Sequence, residues 1–217
     1  RPGVQWDSAG AALAHDGQIA TAGVTTVFDS LSLSGHKNGL DRGEALAVMM
    51  GGMDAAENSG ALRIDHLLHL RCEVTNPEIE SLVTPYLGSK RLRMLSVMDH
   101  TPGGNRQSGS LEAWKQKQLK RGRSIEEIEA NLQTSMSWRD LEGADARRRM
   151  IAELGRDYDI PVASHDDATV DHIETAAGLG CHIAEFPVSY EAAEAAKRCN
   201  MVTVMGGPNF VRGSSHG

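Results

Sequence analysis

Histidines, carboxylates and arginines recur in this sequence at the ends of short apolar runs. In HLLHLRCEV (66–74), a period of two puts His69, Arg71 and Glu73 on one face of a strand and Leu68, Leu70, Cys72 and Val74 on the other. Three ionisable groups on a buried face are costly unless partnered. A metal ion or an anionic ligand would offset that cost, and so would a buried Arg71–Glu73 ion pair. In SHDDAT, His165 follows the apolar run IPVA and precedes Asp166 and Asp167. An imidazole there can ligate a metal through one ring nitrogen while a carboxylate orients it through the other. Either aspartate could instead cap a helix starting near Thr169.

MDHTPGGNRQ sets Asp99 and His100 before a Pro-Gly-Gly turn and Arg106 after it. His100 reads as a ligand or as a hydrogen-bonded loop histidine. Glu185 ends the run in IAEFP and could equally pair with an arginine. GGPNFVRGSSHG, which holds Asn209 and Arg212, has the glycine, serine and guanidinium content of a phosphate-holding loop. His15, His36, His66, His172 and His182 read as core-satisfied or exposed.

The elements that must position these groups are legible as alternation. TTVFDS (25–30), HLLHLRCEV (66–74), LRMLSVMD (92–99), IPVASHDD (160–167), HIAEFP (182–187) and MVTVMG (201–206) read as strands. Helical segments such as GEALAVMMGGMDAAEN, TVDHIETAAGL and YEAAEAAKRCN lie between them, which makes βαβ units and a parallel sheet. An open doubly wound sheet and most of a (β/α)8 TIM barrel both suit six units. Neither GxGxxG after the first strand nor GxxxxGK[ST] occurs. Polar residues end nearly every strand, with Asp29 joining those above, and this favours the barrel, whose strand ends converge on one face. The segment at about 108–150 is charged and too long for one connection. It predicts two or three helices, an excursion whose basic run at 115–123 is a substrate lid or a solvated helix face.

The chain has 217 residues, enough for a sizeable core. Its charge is 22 minus 29, or −7, and its aromatic content is 4%. The charge argues against nucleic acid and an anionic membrane surface as partners, and the aromatic content against a stacking platform for single-stranded nucleic acid. Three cysteines without a CxxC pair point to a reducing, cytoplasmic compartment rather than a disulfide framework. A chain that opens on Arg1 and stops in a Gly/Ser loop reads as a piece of a longer polypeptide.

Taken together and in order, HLRCE, VMDHTPG, RQ, ASHDDAT, IAEFP, EAAEAA and MGGPNFVRG resemble the diphosphatases of the carbon–phosphorus lyase pathway, within the amidohydrolase superfamily. RPGVQW, AHDGQIATAGVTTVFDS and DRGEAL fit as well. The resemblance implies a (β/α)8 TIM-barrel metal-dependent hydrolase, here lacking its first and last strands, so residues 1–217 would be the central barrel portion. It implies one or two divalent metal ions, usually zinc. It also implies release of pyrophosphate from a ribose 1-methylphosphonate 5-triphosphate, a small-molecule phosphorylated substrate; a homo-oligomer is compatible with it.

By motif match the metal ligands would be Glu73 and His165, then His100 and Glu185. Arg71, Arg106, Asn209 and Arg212 would hold the anion, and Asp166 or Asp167 would shuttle the proton. Gly104 and Asn105 intervene before Arg106-Gln107, and Ser214 replaces a family glycine. Both changes touch the loops assigned to the substrate. A cyclic-amide hydrolase or deaminase on the same scaffold, and a metal-free binding subunit, are the competing readings.

Overall fold

The structure is a computed structural model and describes residues 7–35, 42–104, 106 and 109–213, with the side chains of Arg42 and Arg212 outside that description. The chain runs α1 (Ser8–Thr21), β1 (Thr26–Ser32), α2 (Arg42–Asn58), β2 (Asp65–Glu73), α3 (Ile79–Val83), β3 (Leu92–Met98), α4 (Leu111–Lys120), α5 (Ile125–Ser137), α6 (Ala144–Asp157), β4 (Val162–His165), α7 (Val170–Gly178), β5 (Ile183–Glu185), α8 (Tyr190–Arg198), β6 (Val202–Val204) and α9 (Gly207–Arg212). Each of the six apolar runs contains a strand.

All strands are parallel, and their order in the sheet is β1-β2-β3-β4-β5-β6. The order never reverses, so there is no switch point of the doubly wound kind. The expected (β/α)8 TIM barrel is not what forms either. Among the described residues β1 pairs only with β2 and β6 only with β5, so the sheet stays open. Closing a barrel of eight strands takes two further strand widths of about 4.8 Å each, and no ladder joins the two edges.

One face of the sheet carries the core. Leu68, Leu70 and Cys72 of β2, Leu95 and Val97 of β3, and Val162 of β4 pack with Ile151 of α6, Ile173 of α7 and Ala192 of α8. Each fully buried aliphatic chain stabilises the fold by about 1.5–3 kcal/mol relative to exposure. Helix α6 comes unusually close to the sheet because Gly155 has no Cβ to strike Val162. Three helices, α4, α5 and α6, fill the long connection from β3 to β4. Ser124 and Glu127 form a capping box that starts α5, satisfying two of its orphan backbone donors.

Register assigns the other face. Parallel partners project to the same side, and Ser30 pairs with His69, Arg71 with Ser96, Ala163 with Ile183 and His165 with Glu185. The alternation expected in β2 is therefore present, and its polar side lies opposite the helices. Asp29 was expected at the same rim as these groups. It instead projects to the helix side, where Oδ2 meets His66 Nδ1 at 2.8 Å and Oδ1 lies 3.3 Å from His15 Nε2. Its place in the middle of β1, one residue out of phase with Ser30, decides this. Cys72, Cys181 and Cys199 are free thiols. No helix among the described residues is long and apolar enough to cross a membrane.

Candidate metal centre

The ends of β3 and β4 bring two imidazoles together. His100 follows β3, and His165 is the last residue of β4. Asp166, the next residue, sits at φ 55°, a left-handed conformation that costs a side-chain-bearing residue about 1–3 kcal/mol. Phe186, just after β5, is turned the same way at φ 54° and packs edge-on to His165 with ring centroids 5.4 Å apart. The backbone N–H groups of both residues still extend the ladder, Asp166 donating to Glu185 O and Phe186 to Val204 O, each at 2.9 Å. The turn at Asp166 places its Oδ2 3.6 Å from His100 Nε2 and 3.6 Å from His165 Nε2.

These three donors form a set able to hold a metal ion, each ligand atom within 4.8 Å of the others. Two nitrogen or oxygen ligands on a tetrahedral zinc, each about 2.0–2.1 Å from it, stand roughly 3.3 Å apart, so small movements suffice. Two imidazoles and a carboxylate are also a donor set that zinc accepts. The residues present therefore fit a divalent cation.

Glu73 and Glu185, both expected as ligands, stand one step behind. Glu73 Oε2 takes His100 Nδ1 at 2.9 Å, and Glu185 Oε2 takes His165 Nδ1 at 3.1 Å. Each glutamate thus fixes a ring so that Nε2 faces the common centre. Glu73 is fully buried. Burial alone would raise its pKa, but the His100 contact and the Arg139 charge prevail and hold it at about 2. Burial would lower His100, yet Asp166 and Glu73 hold its imidazole up at about 9. Glu185 is lowered despite its burial, first by its bond to His165. His69, clasped by Ser30 Oγ at 3.0 Å and Ser96 Oγ at 2.9 Å, is depressed to about 4 chiefly by burial.

The arginines fall into three situations. Arg71 Nη2 lies 3.0 Å from His165 Nε2, so it occupies the metal-facing side of that ring. Arg106, from the loop after β3, donates to Asp167 Oδ1 and reaches His165 O at 3.5 Å. The Arg212 side chain and the Gly/Ser run after it lie outside the described residues. Asn209 is in α9, beyond β6, with Oδ1 against Gly206. Asp99 accepts Thr101 N at 3.0 Å and Thr101 Oγ1 at 2.6 Å, closing its own turn rather than joining the histidines.

Two alternatives weighed from sequence are replaced. The cap of α7 is Thr169, which accepts His172 N at 3.2 Å, and not an aspartate. The buried partner of Glu73 is Arg139 at 2.7 Å, not Arg71. Arg139 lies 66 residues away in the chain, inside the charged excursion. No local spacing marks it; SWRDL reads as helix-end composition.

Fold and site together define an α/β chain with a candidate divalent-cation centre at the C-terminal ends of its parallel strands. No family model matches the sequence. Over its whole length the chain is 35% identical to the α-D-ribose 1-methylphosphonate 5-triphosphate diphosphatase of Escherichia coli (strain K12), and it spans 57% of that protein. The motifs quoted above resemble the same enzyme. Among solved structures, the octameric Rubisco of Pyrococcus horikoshii aligns with 94% of this chain and 45% of its own, at 9% identity and a TM-score of 0.45. A D-hydantoinase aligns with 82% of this chain and 41% of its own, at 14% identity and a TM-score of 0.30. Likenesses that distant carry nothing about function.

Proposed function

We propose that this chain contributes the cation-holding part of a phosphoanhydride hydrolase that releases pyrophosphate from α-D-ribose 1-methylphosphonate 5-triphosphate. The observation that carries the reading is the paired geometry of His100 and His165. Each ring gives Nδ1 to a buried glutamate and turns Nε2 to the Asp166 carboxylate. Homology to the E. coli diphosphatase supports the same substrate.

His100, His165 and Asp166 would hold the ion, with Glu73 and Glu185 orienting the rings. A divalent cation supplies a lowered water pKa and charge neutralisation at phosphate oxygens. Arg71, beside His165, would offer its guanidinium to the triphosphate. Arg106 approaches from the loop after β3, fixed by Asp167. Asp167 Oδ2 is buried and has no hydrogen-bond partner among the described residues, and this carboxylate would be the one to take up a proton during hydrolysis. Two guanidiniums beside the centre favour a polyanionic phosphate over a neutral cyclic amide.

The test is to express the protein with its natural flanking sequence, quantify bound metal, and follow pyrophosphate release from ribosyl and nucleoside triphosphates. Metal-dependent release is expected, strongest with the methylphosphonate compound. Hydrolysis of dihydropyrimidines or hydantoins without pyrophosphate release would overturn the reading.

A further inference from the structure

We propose that Arg139 is a positioning residue of the metal centre, acting through Glu73 on His100; the inference rests on the reading of His100 as a ligand. Arg139 follows the C-terminus of α5, and its side chain is 4% exposed. Its guanidinium lies 4.3 Å over the ring of Trp138. Nη1 donates to Glu73 Oε1 at 2.7 Å, to Thr75 Oγ1, and to Thr101 Oγ1 at 3.5 Å, while Nη2 reaches His100 O at 3.4 Å. One planar group thus ties the chain beyond β2 to the chain beyond β3. The next residue repeats the tie in the backbone, Asp140 N donating to Thr75 O at 2.8 Å.

Glu73 is saturated by these contacts. Oε1 accepts from Thr75 Oγ1 at 3.0 Å, His100 N at 3.0 Å and Arg139, which leaves Oε2 for His100 Nδ1. The carboxylate has one orientation that serves all four donors. In it the His100 ring must carry its proton on Nδ1 and present Nε2 to the centre. A buried Arg–Glu pair adds little net stability, because desolvation offsets most of the attraction. It does specify geometry, and the fork of Arg139 matches acceptors that a lysine's point charge cannot reach together.

The experiment uses Co2+ as the probe, bound to the protein carrying its natural flanks, with affinity and visible d–d absorption as readouts beside thermal stability. Arg139→Ala is expected to weaken Co2+ by roughly 10–100-fold and to alter the absorption band, as loss of a ligand's supporting contact does. Arg139→Lys restores the charge and recovers only part of the affinity. Added guanidinium ion restores the band in Arg139→Ala. In a Glu73→Gln background, Arg139→Ala has no further effect on Co2+ affinity. If wild type binds Co2+ and Arg139→Ala binds it equally well with an unchanged band, Arg139 is merely structural. The same conclusion follows if its effect persists undiminished beside Glu73→Gln. Should Arg139→Ala not fold, Arg139→Lys with wild-type affinity and band overturns the proposal. Failure of wild type to bind Co2+ at all sinks the site itself, and this inference with it.

Discussion

His100 and His165 stand nearly perpendicular, ring centroids 5.3 Å apart at 76°, and each is anchored from behind by a different buried glutamate. Removing a ring and removing its anchor should therefore differ in degree. His165→Asn and Asp166→Asn are expected to lose bound metal and turnover while the circular dichroism spectrum is kept. Glu185→Gln should retain metal with affinity reduced roughly 10–100-fold. Metal analysis after dialysis against a weak chelator separates the two classes.

Arg71 Nη2 lies 3.0 Å from His165 Nε2. Arg71→Met should raise KM for the triphosphate and leave metal affinity unchanged or improved. A charge-assisted hydrogen bond is worth about 1.5–3 kcal/mol, so the rise is roughly 10–100-fold. Steady-state kinetics beside metal titration checks both halves.

Asp16 offers a pH test remote from the site. It is buried in α1 and accepts Arg63 N at 2.8 Å, Ile64 N at 3.2 Å and Arg63 Nη1 at 2.8 Å. Burial would raise its carboxyl, but these bonds, with His66, prevail and bring it from 3.8 to about 2. A depressed folded-state pKa stabilises the fold above the unfolded value, and that stability is lost as pH falls from about 4 towards 2. Asp16→Asn should be less stable than wild type at pH 6 in urea unfolding, and the gap should close as pH 2 is approached.

Gly155 tests the packing of α6 on β4. A Cβ there would overlap Val162 Cγ2 and stand 2.9 Å from Ile160 O. Gly155→Ala should destabilise by about 2 kcal/mol, a fall in Tm of roughly 4–8 °C at this chain length. Val162→Ala in the same chain should recover part of it.

The six strands were legible because β-branched runs bounded by turns have few other solutions, and β2 showed its two faces by simple alternation. His165 and His100 were legible from their places at strand ends. That Glu73 and Glu185 meet the Nδ1 atoms of the two rings was not, because the sequence cannot tell which side of an imidazole a carboxylate meets; only ring orientation does. Asp29 was misplaced for a related reason: a strand end has two sides, and register with β2 chooses between them. Arg139 was hidden by distance along the chain. The (β/α)8 barrel, expected without its first and last strands, was an inference from family and from strand ends; the structure is a six-stranded open parallel sheet.

The stepwise strand order bears on how the molecule is made. Every strand lies beside the one made just before it. A nascent chain leaving the ribosome therefore meets the ledge it must dock on already in place, and no half-built sheet has to wait for a distant partner. Growth at a single advancing edge also means that His100, after β3, meets His165 and Asp166 only once β4 has been made. The candidate centre is thus among the later features of the sheet to be completed.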